Sequence, residues 1–191
     1  MGHDRPDTRG WPLLPNLLTI LRLALVLPIA LLLWWGEDGL ALLCFVVAAV
    51  SDFADGALAR RWHVESRFGS VADPIADKLT MLATAGMLTY QGDLPVAYLA
   101  VIALRDIVIV GGALAWHLRF GAVEMAPSQI SKFNTLLHFL LLLGTMCVRA
   151  GLLPEGRGWD VLMIAALAGT FASGLHYVWV WGGQARQQAG G

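Results

Sequence analysis

The run Asp52-Phe-Ala-Asp55-Gly56-Ala-Leu-Ala59-Arg60, followed eight residues later by Gly69-Ser-Val-Ala-Asp73-Pro-Ile-Ala-Asp77, sets four carboxylates between long apolar stretches. An ionised side chain near mid-bilayer costs ~2.5–3.5 kcal/mol, so acids in this setting require compensating charge. Asp52 and Asp55 are three residues apart and share one helix face, which Gly56 and Ala59 continue. Asp73 and Asp77 are four apart and share a face of the following helix. The turn between the two segments is short, so the helices are expected to be antiparallel neighbours whose four carboxylates converge. Gly56 and Ala59 would leave room beside them for a ligand or for close helix approach.

The rest of the chain fits that setting. Of its 191 residues, 57% are apolar and 14% charged, with a mean hydropathy of +0.64. Soluble domains average ~45–50% apolar and ~25% charged. These totals argue against a soluble globular domain and a disordered tail, and a net charge of -1 offers no basic surface for nucleic acid. Six apolar stretches, at 17–35, 39–61, 70–90, 94–118, 127–150 and 159–182, are each about long enough to cross ~30 Å of hydrocarbon. None shows the two-residue alternation of a barrel strand, so all six are read as helices. The expected fold is an all-α integral membrane bundle of six transmembrane helices. Its parts are a cytoplasmic N-terminal segment (1–16), the six-helix domain (17–182) and a cytoplasmic tail (183–191).

Orientation follows from the cations. Arg5, Arg9, Arg60, Arg61, Arg67, Arg119, Lys132 and Arg186 fall on one side, Arg149 and Arg157 on the other, and Arg22, Lys78 and Arg105 within spans. This bias puts both termini in the cytoplasm. Trp34, Trp35 and Trp159 then lie near the outer interface and Trp62, Trp116, Trp179 and Trp181 near the inner one. Cys44 and Cys147 sit singly in apolar runs and read as small core residues.

Carboxylates with no nearby His or Cys favour hard cations such as Mg²⁺, Mn²⁺ or Ca²⁺ over zinc. Two divalent ions would balance four acids, and paired metals are a common device of phosphoryl chemistry. Arg60, beside the acidic face, suits a phosphate oxygen. The same acids could also be inter-helix salt-bridge partners or a proton path, as in a small Asp-relay membrane transporter.

At every fixed position this segment resembles the CDP-alcohol phosphatidyltransferase pattern D-x2-D-G-x2-A-R-x8-G-x3-D-x3-D. The resemblance implies a CDP-alcohol phosphotransferase-like bundle that binds a CDP-linked lipid and two Mg²⁺ or Mn²⁺ ions, transfers the phosphatidyl group to an alcohol and releases CMP. It implies metal binding by Asp52, Asp55, Asp73 and Asp77, with Asp77 as general base on the acceptor hydroxyl. Asp52, Gly56, Ala59, Arg60, Gly69 and Asp73 would form the CDP site. A homodimer in the cytoplasmic (inner) membrane of a bacterium is expected on the same ground.

The acceptor is read from a second level of resemblance. Pro15-Asn16-Leu-Leu-Thr19-Ile-Leu-Arg22 is similar to the opening shared by phosphatidylglycerophosphate synthases and CDP-diacylglycerol-dependent cardiolipin synthases. Arg105-Asp106 and Ser131-Lys132-Phe-Asn134-Thr135 resemble the cardiolipin synthases more. His138 departs from both groups, which often carry Gln there. The expected substrates are therefore CDP-diacylglycerol and phosphatidylglycerol, giving cardiolipin and CMP. The alternative is phosphatidylglycerophosphate synthesis from glycerol 3-phosphate. Arg105, Lys132, Arg22 and Asn134 are the candidates for the acceptor phosphate, and Arg105 could instead pair with a core Asp. Lys78 is expected to offset carboxylate charge. Pro74 is expected in the first turn of its helix. His63, His117 and His176 lie near span ends and are more simply interfacial than functional.

Overall fold

A computed structural model of the chain describes residues 13–62, 67–120 and 129–189, with side chains described for 17–54, 75–109, 111–112 and 131–175. These residues form six helices: α1 (Leu13–Trp34), α2 (Asp38–Trp62), α3 (Arg67–Gln91), α4 (Val96–Phe120), α5 (Gln129–Arg149) and α6 (Arg157–Ala189). Each coincides with one of the six apolar stretches. By length and composition, the segments Leu17–Trp34, Ser131–Arg149 and Arg157–Leu175 are able to cross a membrane. α6 runs through most of 183–191, so the expected tail is largely a continuation of its last helix. α3 begins at Arg67, which places Pro74 about two turns inside it and not in the first turn. A proline there leaves the carbonyl of Ser70 without its usual helical donor.

The chain divides into two compact units. Met1–Leu88 with Arg149–Leu152 form the first, Thr89–Val148 with Leu153–Gly191 the second.

In the first unit α1 packs against α2. Their connection is a Schellman turn in which Glu37 N–H donates to Leu32 C=O and Gly36 N–H to Leu33 C=O. Gly36 adopts φ 76°, a left-handed value that a Cβ would strain. The buried stripe of α1 is Thr19, Arg22, Ile29 and Leu33, and that of α2 is Ala41, Phe45 and Ala48. Beyond the turn, Arg149 Nε donates to Asp38 Oδ1 at 2.8 Å. α3 buries Ala76, Thr80, Thr84 and Leu88, one residue per turn.

In the second unit α4 packs against α6. Two glycines mark close approaches. A Cβ on Gly144 of α5 would overlap the indole ring of Trp159, and one on Gly169 of α6 would overlap Asn134 Oδ1. Across both units the buried side chains are largely small or hydroxylated, including Ala41, Ala48, Ala76, Ala85, Thr80, Thr84, Ser131, Thr170 and Ser173. Large apolar side chains such as Leu17, Leu27, Leu43, Phe53, Ile107, Ile164 and Leu175 point outward. That distribution suits a hydrocarbon solvent, in which helices associate through small residues and hydrogen bonds and exposed leucines cost nothing.

The Gly144–Trp159 contact makes a prediction. Gly144→Val should lower stability by about 1–3 kcal/mol through overpacking. Trp159→Ala should recover part of that loss in a double-mutant cycle read from thermal unfolding in detergent. Additive losses would show that the two positions do not meet.

Candidate active site

Arg22, Asp52 and Asp77 form the described part of the acidic site. Arg22 lies eleven residues before Leu33, and Asp52 eleven after Ala41, so the hairpin of α1 and α2 brings them level. Arg22 Nη1 is 2.7 Å from Asp52 Oδ1. The two side chains differ sharply in environment: 2% of Arg22 is exposed against 51% of Asp52. The cation is thus built into the helix pair, and it holds a carboxylate that remains open on its other side. Arg22, one of the candidates for the acceptor phosphate, pairs in this arrangement with a carboxylate of the acidic motif.

Asp77 lies on α3 beside the buried Ala76 and one turn before Thr80, and it is partly exposed with Lys78 next to it. Helix bounds put positions 52 and 55 one turn apart on α2, and 73 and 77 one turn apart on α3. The side chains of Asp55, Gly56, Ala59, Arg60, Gly69 and Asp73 lie outside the described residues, as do those of His63, His117 and His176. The expected convergence of four carboxylates therefore has only Asp52 and Asp77 on view.

A polar seam runs through the second unit. Tyr98 and Arg105 stand seven residues apart on α4, Ser131, Asn134 and His138 lie on one face of α5, and Thr170 and Ser173 on one face of α6. At one level Arg105 Nη2 donates to Ser131 Oγ at 2.6 Å and to Ser173 Oγ at 3.3 Å, while Nη1 donates to Asp106 Oδ1 at 2.8 Å. Arg105 thus pairs with its own neighbour, and three elements fix its orientation. Asn134 is buried and donates through Nδ2 to Thr170 Oγ1 at 3.0 Å. Lys132, beside Ser131, is exposed.

At the other level Tyr98 Oη meets His138 Nδ1 at 2.7 Å, and His138 Nε2 meets Thr170 Oγ1 at 2.8 Å. The single hydroxyl proton of Thr170 goes to the Ala166 carbonyl at 2.8 Å. His138 must therefore donate through Nε2–H and accept the Tyr98 proton at Nδ1, which assigns a neutral imidazole of one tautomer. Tyr98, Thr170 and Ser173 were not singled out by sequence. Their only signal is spacing: Tyr98 falls two turns before Arg105, and the two hydroxyls are one turn apart in an apolar helix.

The seam also accounts for the departure at His138. A glutamine could accept from Tyr98 through its oxygen and donate to Thr170 through its nitrogen. His138→Gln should therefore leave thermal unfolding in detergent nearly unchanged. His138→Leu should destabilise by about 1–3 kcal/mol for each buried polar group left unmet. Equal effects of the two substitutions would remove the hydrogen-bonding account.

Comparison with known proteins agrees with this architecture. Residues 12–174 match the family model described as CDP-alcohol phosphatidyltransferase. The chain is 32% identical to a cardiolipin synthase (CMP-forming) of Streptomyces coelicolor, over 89% of this chain and 79% of that protein. It is 34% identical to a CDP-diacylglycerol–glycerol-3-phosphate 3-phosphatidyltransferase of Cereibacter sphaeroides, over 82% of this chain and 75% of that protein. A Pectobacterium atrosepticum protein of the same name is 34% identical over 86% of this chain and 92% of its own length. With the acidic motif, six helices and a lipid-facing exterior already established, the chain belongs to the CDP-alcohol phosphatidyltransferase family and is a membrane-embedded, multi-pass phosphatidyltransferase.

Proposed function

We propose that the protein transfers the phosphatidyl group of CDP-diacylglycerol to phosphatidylglycerol, forming cardiolipin and CMP. The supporting observation is the Arg105-Asp106 and Ser131-Lys132-Phe-Asn134 arrangement. Its resemblance to cardiolipin synthases picked these residues out, and Arg105, Ser131 and Asn134 belong to one buried polar seam. Membership of the family sets aside the Asp-relay transporter. In this reading all six helices span the bacterial inner membrane, 17–182 forms the catalytic domain, both termini are cytoplasmic and the enzyme is a homodimer.

Asp52, Asp55, Asp73 and Asp77 would hold two Mg²⁺ or Mn²⁺ ions. The donor set fits such ions: it is all oxygen, and Asp52 is held by Arg22 on one side and open on the other. When bound, the ions neutralise the charge that develops on the departing phosphate. Asp52, Gly56, Ala59, Arg60, Gly69 and Asp73 would form the CDP site, with Arg60 on a phosphate oxygen. Asp77 would take the proton of the acceptor hydroxyl as that oxygen attacks the β-phosphorus and the bridging oxygen leaves with CMP. Arg22 would orient Asp52. Arg105, with Lys132 and Asn134, would hold the acceptor phosphate.

Purified protein supplied with CDP-diacylglycerol and Mg²⁺ should release CMP with phosphatidylglycerol, and chelation should stop it. CMP formed only with glycerol 3-phosphate would identify a phosphatidylglycerophosphate synthase, the activity named for the Cereibacter relative. Asp77→Asn should lower kcat by about 10²–10⁴ while CDP-diacylglycerol binding persists. Transfer by that variant at the parental rate would remove Asp77 as the base.

A further inference from the structure

α6 carries a glycine and a hydroxyl side by side, in the otherwise apolar run Ala165-Ala-Leu-Ala-Gly169-Thr170-Phe171. Glycine inside a helix is destabilising relative to alanine, so its presence there calls for a local reason. That reason faces it from α5. A Cβ on Gly169 would overlap Asn134 Oδ1 and stand 3.2 Å from Asn134 Cγ, yet it would lie 3.6 Å from Asn134 Cβ, an ordinary contact. The amide group of Asn134 is thus what occupies the space a methyl would fill.

Thr170 decides which way that amide turns. A hydroxyl has one proton to give and room for two incoming hydrogen bonds. The Thr170 proton goes to the Ala166 carbonyl, and its oxygen accepts from His138 Nε2 at 2.8 Å and from Asn134 Nδ2 at 3.0 Å. The hydroxyl is fully used, so the Asn134 atom facing it must be the donor. That leaves Oδ1 over Gly169, buried and with no hydrogen-bond partner among the described residues. Space at one residue and an acceptor at the next hold both ends of one amide.

The register of the two helices matches this fit. Asn134 precedes Gly144 by ten residues on α5, and Trp159 precedes Gly169 by ten on α6. Trp159 fills the space over Gly144 as Asn134 fills that over Gly169, so each helix receives a side chain from the other at two points about 15 Å apart. About one turn from Asn134 and Gly169 respectively, Ser131 of α5 and Ser173 of α6 both accept from Arg105 Nη2. Residues 131–134 therefore lie at a pinned end of the α5–α6 pair.

We propose that Gly169 and Thr170 are positioning residues of the acceptor site, fixing the amide of Asn134 and with it the 131–134 turn of α5. The inference rests on the reading above, in which that turn serves the acceptor phosphate. It adds two residues of α6 that act through Asn134.

The parental enzyme is first assayed with CDP-diacylglycerol and either phosphatidylglycerol or glycerol 3-phosphate, and the acceptor it uses is carried forward. Use of glycerol 3-phosphate alone would sink the cardiolipin reading, and the positioning is then judged with that acceptor. Gly169→Ala should turn the Asn134 amide out of place and raise the KM for the acceptor about three- to tenfold, the size of one lost hydrogen bond. The KM for CDP-diacylglycerol should stay within about twofold. Asn134→Ala should show the same rise. In the double variant the two Cβ atoms meet at ordinary contact distance, so Gly169→Ala should add nothing to Asn134→Ala. Thr170→Val removes the accepting oxygen and should raise the same KM, while Thr170→Ser, which keeps it, should not; this pair carries the test if Gly169→Ala accumulates poorly. Multiplied effects in the double variant would overturn positioning through Asn134. So would a Gly169→Ala enzyme that unfolds at lower temperature with its acceptor KM unchanged, or equal rises for both substrates. Parental acceptor KM in Asn134→Ala would remove Asn134 from the acceptor site, and the inference with it.

Discussion

A charge in hydrocarbon must be answered by another charge or by a complete set of hydrogen bonds, and this constraint shapes the whole molecule. The pair between Arg22 and Asp52 is its clearest expression. A fully buried guanidinium is costly unless a carboxylate lies against it, and a carboxylate open on one side is oriented only if something holds the other. The α1–α2 hairpin meets both demands with one contact. Its tight Schellman turn sets the register, the register sets the level of Arg22 and Asp52, and the acidic motif begins there.

The second unit answers the same constraint differently. Arg105 is met by its neighbour Asp106 and by two serines from separate helices, and His138 is met by a tyrosine and a threonine. The arginine lies at the edge of an apolar surface, whereas the histidine is held inside by hydrogen bonds at both ring nitrogens. At Gly169 the space a Cβ would fill is taken by Asn134 of the seam, and at Gly144 by the ring of Trp159.

Helix positions were largely legible in the sequence, because long apolar runs end at residues that cannot continue a helix. Gly36, Gly92 and Gly151 all adopt positive φ, and the helices stop beside them. The acidic motif was legible for the same reason that it is expensive: acids in apolar runs stand out. Which partner each cation takes was not. Periodicity places Arg22 on a face of α1 but does not say that Asp52 will be level with it; the turn decides that. Tyr98, Thr170 and Ser173 gave almost no signal, since lone hydroxyls are ordinary in apolar helices. Only packing makes them a network. Pro74 was misplaced because the helix starts three residues before the apolar stretch does.

The direction of the hydrogen bonds around His138 has a consequence for the membrane itself. Every donor in that chain points the same way, from Tyr98 to His138 to Thr170, and the last one ends on the main-chain oxygen of Ala166. A backbone carbonyl has no hydrogen to pass on, so hopping along this wire stops at a dead end. The seam therefore carries buried polar groups through its helices without a continuous proton path along this chain of bonds.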